Sequence, residues 1–334
     1  MNWADMKKKA GRWMFILLHL TGFVLLYFVI RDLEWDSFLE VLKAFPAWKY
    51  FTGLAFLGVV YGLKSLRWHL LNKSFGIRTS WGMALVFYLS AGFLSVITPG
   101  RLGEFSKIYF LKRQYGTDLT AGTSSVILDR IWDVLVLSFA AGVSVVLLWS
   151  GPDLHTWAVL AAVILFAVSL LLVLFPAIIF IPLLFMSRRL ASLHMQLDEV
   201  FRLWKNNRFT NFIPSLVLTA TAFLLLAFIP VLFSRHTPFP VEYAAGIGSI
   251  SISNILSFIP VTIAGFGTRE LVFAAVWDLQ AYPKEVAISV STAYFMVTYV
   301  GSLLIGGVVY LLSLNKLYRP GEIRKFSTKE ANPS

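Results

Sequence analysis

Apolar residues along the 334-residue chain arrive in long runs, not in alternation. Runs of about 17 residues or more predict helices that cross a bilayer. Strands of a membrane barrel would alternate apolar and polar positions, and these runs do not. Eight stretches are legible: Trp13 to Ile30, Tyr50 to Leu66, Trp81 to Ile97, Leu119 to Trp149, Trp157 to Met186 with kinks at Pro176 and Pro182, Asn211 to Phe233, Val241 to Ile259, and Glu285 to Leu312. The interval Arg31 to Lys49 carries Asp32, Glu34, Asp36 and Glu40 and predicts a short amphipathic helix. Ser187 to Phe209 is amphipathic and basic, which predicts a helix lying on the cytoplasmic membrane surface. From Asn315 the chain is polar and expected to be loose.

Two of the stretches run into a break. The first is Thr98-Pro99-Gly100-Arg101-Leu102-Gly103-Glu104, followed by a shorter run to Leu111. The second is Pro260-Val-Thr-Ile-Ala-Gly265-Phe-Gly267-Thr-Arg269-Glu270, followed by a run to Trp277. Proline and glycine do not continue a helix comfortably, so the backbone should unwind at Pro99, Gly100, Gly103, Pro260, Gly265 and Gly267. Unwound backbone at membrane depth is tolerated only where protein buries it or it lines a wet cavity. Gly265-Phe266-Gly267 is no nucleotide motif, because no strand and no dinucleotide-binding unit surround it.

Charge placement chooses the topology. If all eight stretches cross, Lys107, Lys112, Arg113 and the basic segment Arg188 to Arg208 fall outside the cell. If the two broken stretches are instead re-entrant, cytoplasmic loops hold 21 of the 29 lysines and arginines, external loops 5, and the membrane interior Arg101, Arg130 and Arg269. The second arrangement fits the positive-inside rule. Each half then reads span, span, re-entrant hairpin, span, with opposite orientation. Glu104 matches Glu270 at an offset of 166, and Ser125 matches Ser291. The expectation is an all-α polytopic membrane protein, an inverted-topology repeat of about six full transmembrane helices plus two re-entrant helical hairpins. Repeat 1 covers about 13–150 and repeat 2 about 156–312 of a membrane domain at 1–314, with a cytoplasmic tail at 315–334. Both termini face the cytoplasm, in the cell inner (plasma) membrane. The plain alternative is that the breaks are packing kinks; two in matching positions, each with an Arg and a Glu, weigh against it.

Composition changes this picture little. Hydrophobic residues are 57% of the chain and charged ones 14%, against about 25% in soluble domains. The net charge of +11 belongs to cytoplasmic loops, so no nucleic acid partner is expected. Without cysteine there is no disulfide, thiol catalysis or thiolate metal site, and the five histidines show no ligand spacing. No cofactor, metal or catalytic residue is expected. Lys7-Lys8-Lys9 ahead of the first run resembles a signal peptide, but Arg31-Asp32-Leu33-Glu34 follows where a small-residue cleavage site would stand. The first run is therefore expected to be a retained span.

Seven charged groups fall at membrane depth: Arg101, Glu104, Asp129, Arg130, Asp133, Arg269 and Glu270. Each costs about 2.5–3.5 kcal/mol at a helix centre, so together they must pair or line water. Asp129 and Asp133 share one helix face, with Arg130 close to it. For these three, a structural lock (Arg130 on Glu104, Asp129 or Asp133 on Arg101) and substrate contact both stand. Arg101 and Arg269 sit on unwound backbone beside glycines, where a ligand can approach. Two half-helix N-termini and two arginines suit a phosphate head group. Glu104 and Glu270 admit three readings: capping the half-helices, partnering the arginines, or binding a coupling proton or cation. Lys107 reads as a snorkelling interface residue. Tyr294 and Tyr299 are candidates to face the cavity.

Pro99-Gly100-Arg101-Leu102-Gly103-Glu104, Leu128-Asp129-Arg130 and Gly265-Phe266-Gly267-Thr268-Arg269-Glu270 together resemble the lysylphosphatidylglycerol synthase transmembrane family. The resemblance spans roughly Trp13 to Leu312 and implies movement between leaflets of a lipid with a bulky polar head. In the family's bifunctional members that lipid is an aminoacylated phosphatidylglycerol; stand-alone members are suspected of handling polyprenyl-phosphate sugars or related glycolipids. No soluble aminoacyl-transferase domain accompanies the motifs, so synthesis of the lysyl-lipid is not expected. The leading expectation is a lipid flippase, with a membrane lipid as partner, a proton or cation as candidate coupling species, and no enzyme activity. Two rivals stand beside it. One is a membrane enzyme on a lipid phosphate using Asp129, Asp133 and Glu104. The other is a non-transporting partner of a glycosyltransferase, touching it through Ser187 to Phe209. A homo-oligomer is also open.

Overall fold

A computed structural model describes residues 35–148, scattered positions within 160–171, and residues 191–257, 265 and 267–318. The span expected at Trp13 to Ile30, most of that at Trp157 to Met186, the break residue Pro260 and the tail beyond Tyr318 lie outside the described residues. Every regular element among the described residues is helical.

Polar punctuation sets the first elements. The amphipathic helix α1 is Trp35–Ala44. Pro46 opens α2, Ala47–Ser74. That helix runs eight residues beyond the expected end of the span at Leu66, and Arg67 lies inside it. Ser80 caps α3, Trp81–Val96, by accepting from the Met83 N–H at 3.3 Å. Next come a 3-10 turn at Pro99–Phe105 and α4, Ser106–Tyr115, closed by Gly116 at φ 63°. Asp118 accepts from the Thr120 N–H at 2.8 Å and starts α5, Leu119–Leu148.

The remaining elements are α6, Ala191–Ser234; α7, Tyr243–Leu256; α8, Thr268–Asp278; and α9, Lys284–Phe295. A π turn at Met296–Val300 joins α9 to α10, Gly301–Tyr318, which carries helix into the segment expected to be loose. Separate helices were expected at Ser187 to Phe209 and Asn211 to Phe233. The structure instead has the single 44-residue α6, with Pro214 and Pro230 inside it. Each proline removes one helix donor, a loss that packing against α2 and α7 offsets. At 1.5 Å per residue α6 is about 66 Å long, twice a hydrocarbon core of about 30 Å.

Three helical stretches among the described residues are long and apolar enough to cross a membrane: Leu119–Leu148, Ile213–Ser234 and Lys284–Leu314. The chain is thus an all-α, membrane-embedded protein. Its packing interlocks early and late elements: α3 lies on α10, α7 on α5, and α2 on α6. Glycines set two of these approaches. A Cβ at Gly306 would come within 2.6 Å of the Leu89 carbonyl oxygen, and one at Gly248 would overlap the Ser144 hydroxyl. Two apolar cores result. One gathers Trp68, Phe87, Phe110, Leu128 and Trp132; the other gathers Phe223, Phe233, Phe273, Trp277 and Val290.

The first break reverses the chain. The Thr98 hydroxyl donates to the Leu94 carbonyl at 2.8 Å and accepts from the Gly103 N–H at 2.7 Å. Gly103 lies directly against the backbone of Leu94 and Ser95, so the returning leg rests on the last turn of α3. Arg101 is held at φ 56°, a left-handed conformation that costs a non-glycine residue about 1–3 kcal/mol. At the second break Gly265 and Gly267 have φ 73° and 83°, and the Gly267 N–H donates to Glu270 Oε2 at 2.9 Å.

A methyl group at Gly103 has no room. We expect Gly103→Ala to lower stability by about 1–3 kcal/mol. Gly58→Ala, where an added Cβ meets nothing within 4 Å, should be neutral or slightly stabilising. Thermal unfolding of the two purified variants in the same detergent checks the contrast.

Candidate functional site

The site is organised on α5. Asp129 and Asp133 lie one turn apart and both face α2, which supplies Arg67. The Arg67 guanidinium is fully buried and contacts Asp129 Oδ1 at 2.5 Å and Asp133 Oδ1 at 2.8 Å. It also donates to the Asp129 carbonyl at 3.0 Å and to Thr219 Oγ1 of α6 at 2.7 Å. Lys107 of α4 reaches the other side of Asp129 at 2.9 Å and Glu104 at 3.1 Å. Its ammonium lies 4.2 Å from the centre of the Tyr88 ring. Arg130 bridges Glu104 at 3.3 Å, Asp129 at 3.0 Å and Asp133 at 3.4 Å, and donates to Tyr88 Oη at 2.9 Å. Lys64 of α2 meets Asp133 at 3.2 Å and stands 4.1 Å over the Phe223 ring. One continuous network therefore joins α2, the 3-10 turn, α4 and α5.

Beside the network is a cavity with about 670 Å³ of empty space, part of it open to the outside. Its charged walls are Lys64, Arg101, Glu104 and Arg130. Tyr61, Tyr88, Tyr294 and Tyr299 supply aromatic walls, and Asn254 of α7 a polar one. The Tyr61 hydroxyl donates to Ser302 Oγ at 2.8 Å, tying α2 to α10 across it. Arg101 donates to Asn254 Oδ1 at 3.2 Å and Tyr299 Oη at 2.9 Å. Among the described residues no carboxylate pairs with it. Arg269 also stands next to Tyr299. Its guanidinium lies 5.4 Å from that ring and 4.6 Å from the Phe295 ring. It pairs with Glu270 and donates to Ser291 Oγ at 3.0 Å. The arginines of the two breaks thus share one tyrosine, with Arg101 at 5.7 Å from the same ring.

Several expected placements change. Neither Asp129 nor Asp133 holds Arg101; both hold Arg67 of α2, whose guanidinium reaches both carboxylates at once. Lys107 does not snorkel, because Asp129, Glu104 and the Tyr88 face give its ammonium a complete set of partners inside. Arg67, Lys64 and Lys107 therefore leave the cytoplasmic count and join the interior one. Asp129, Asp133, Arg269 and Glu270 do not line the cavity, whereas Arg101, Glu104 and Arg130 do. Sequence reasoning passed over Lys64, Arg67, Tyr61, Tyr88 and Asn254. The available signal was Lys64-Ser65-Leu66-Arg67, two cations one turn apart within a helical run that hydropathy alone closes early.

A helical membrane protein with an ion-paired polar centre opening into a cavity is the class these features define. The profile of the lysylphosphatidylglycerol synthase TM region matches residues 14–306, and the chain belongs to that family. It is also similar to a UPF0104 membrane protein of Methanocaldococcus jannaschii, with 21% identity over 232 residues, 68% of this chain and 97% of that protein.

Removing Arg67 leaves two buried carboxylates short of their main partner. Arg67→Ala should lower stability by about 3–5 kcal/mol. Arg67→Lys should fall between it and the native protein, because an ammonium cannot repeat the two-pronged contact. Adding Asp129→Asn to Arg67→Ala should recover part of the loss. Denaturant unfolding in detergent micelles measures all three.

Proposed function

We propose that this protein is a lipid flippase that moves a phosphate-containing lipid between leaflets, the head group passing through the cavity while the tails stay in the bilayer. The observation that carries the reading is Arg101. It is a guanidinium on strained backbone within the 3-10 turn at the cavity wall, held among the described residues by neutral hydrogen-bond partners. Phosphate oxygens accept charge-assisted hydrogen bonds from such a fork more strongly than an amide or phenol oxygen does. Arg269, 5.4 Å from the Tyr299 ring, is already paired with Glu270 and leaves Arg101 as the cation open to the ligand. Glu104 sits between Lys107 and Arg130 at the wall, where a coupling proton or cation would compete for it. Glu270 latches the second break through the Gly267 N–H.

We further propose that the two breaks are re-entrant hairpins of an inverted repeat in the inner membrane, with both termini cytoplasmic. The reciprocal packing of α3 on α10 and α7 on α5 supports this, since each broken unit's first helix lies on the long helix of the other half. No chemical step on the lipid is assigned.

In proteoliposomes, Arg101→Ala should cut translocation of a fluorescent anionic phospholipid by at least about tenfold, the scale of one charge-assisted contact, with unchanged thermal stability. Native-like transport by a well-folded Arg101→Ala protein would defeat the reading. The topology has its own check, because the chain has no cysteine. A single Tyr115→Cys should react with an impermeant maleimide only from the cytoplasmic side, and Tyr282→Cys only from outside.

A further inference from the structure

Resting on the reading of the cavity as a lipid head-group site, we infer that the head group it takes carries two negative charges, as a phosphomonoester or a diphosphate does. The inference comes from the charge inventory around the cavity. The network holds four cations, Lys64, Arg67, Lys107 and Arg130, against three carboxylates, Glu104, Asp129 and Asp133. Arg101 adds a fifth cation with no carboxylate partner among the described residues. Arg269 and Glu270 cancel each other. The excess is two positive charges in a region where every uncompensated charge is costly.

The missing negative charge has no source in the other apolar segments. Trp13 to Ile30, Trp157 to Met186 and Phe258 to Ala264 contain no aspartate or glutamate. A doubly charged ligand in the cavity would supply the compensating charge. A phosphomonoester brings −1.5 to −2 and a diphosphate diester −2, whereas a simple phosphodiester brings −1. An aminoacylated phosphatidylglycerol adds an ammonium to its single phosphodiester, so it offers no net negative charge and leaves the excess in place. Lys64 and Arg101 are separate cavity-wall cations, so each accounts for one unit of the excess.

The test is native mass spectrometry of the purified full-length protein with four lipids of identical dioleoyl tails: phosphatidic acid, phosphatidylglycerol, lysyl-phosphatidylglycerol and phosphatidylcholine. Phosphatidic acid should bind about tenfold tighter than phosphatidylglycerol, with the other two weaker still. Lys64→Gln and Arg101→Gln each lower the excess to one and should each bring the preference for phosphatidic acid over phosphatidylglycerol down to about threefold or less. Melting curves of both variants select the folded one to be scored. Equal binding of the anionic lipids, tightest binding of the lysyl lipid, or binding of none overturns the inference. So does inorganic pyrophosphate displacing phosphatidic acid at equal concentration, which would assign the site to a soluble anion. A transport assay separates this from the flippase reading. Tight binding of phosphatidic acid without translocation removes the flippase and keeps the charge assignment. Equal translocation of all anionic and lysyl lipids keeps the flippase and removes the charge assignment.

Discussion

A charge carried out of water into the membrane interior has to find its counter-charge within reach, and the whole first half of this protein is arranged around that requirement. Asp129 and Asp133 are one helical turn apart, and a single guanidinium from α2 spans them. That geometry fixes both the rotation of α2 about its axis and its height relative to α5. Thr219 brings α6 into the same register through the same guanidinium. The break at Pro99–Phe105 then has a physical reason. A continuous helix from Trp81 would carry Glu104 and Lys107 past the network. Folding back on Leu94 and Ser95 returns them to Asp129 and Arg130.

Buried ion networks of this kind are weak sources of net stability, because desolvation consumes most of the Coulomb attraction. Their value lies in specificity: only one arrangement of four elements satisfies every partner. Arg101 is the contrast. It extends from strained backbone toward two neutral oxygens at the cavity wall, contacts an incoming anion would replace at little cost. On the flippase reading, rigidity and availability are divided between neighbouring segments. The network holds the cavity's shape, and one arginine a few residues away stays open to the ligand.

Much of this was legible in the sequence, for identifiable reasons. Leu119–Leu148 is predominantly apolar and carries no charge apart from Asp129, Arg130 and Asp133, so both its extent and its buried charges could be read directly. Pro99, Gly100 and Gly103 announced the first break, and Arg130 on Glu104 followed from proximity in a small set of buried charges. Arg67 was lost because hydropathy cannot separate a cation at the end of a span from one buried inside it. The difference is made by carboxylates more than sixty residues away. Lys107 failed for a related reason, since its fully buried partner Asp129 lies on another helix. The continuity of α6 was hidden at Phe209 to Asn211, where a basic amphipathic stretch gives way to an apolar one, a change of composition that the helix backbone runs straight through.

On the inverted-repeat and flippase readings, the two halves are chemically unequal in a way that bears on which one moves. Counting 166 residues on from Lys107, Asp129 and Asp133 lands on Phe273, Phe295 and Tyr299. Where the first half sets carboxylates under its cations, the second sets aromatic rings, and Arg269 lies over two of them. A cation over a ring is worth roughly 0.5–2 kcal/mol, less than the 3–5 kcal/mol lost when a buried ion pair is broken. The second half therefore rests on the Arg269–Glu270 pair and on aromatic contacts, where the first half has a multiply shared ion network. It also carries the π turn Met296–Val300, a helix defect that supplies Thr298 and Tyr299 to the cavity wall. On the flippase reading, a rearrangement that opens the cavity centres on this defect and on Tyr299, which both arginines approach, with the network on α5 as the fixed frame.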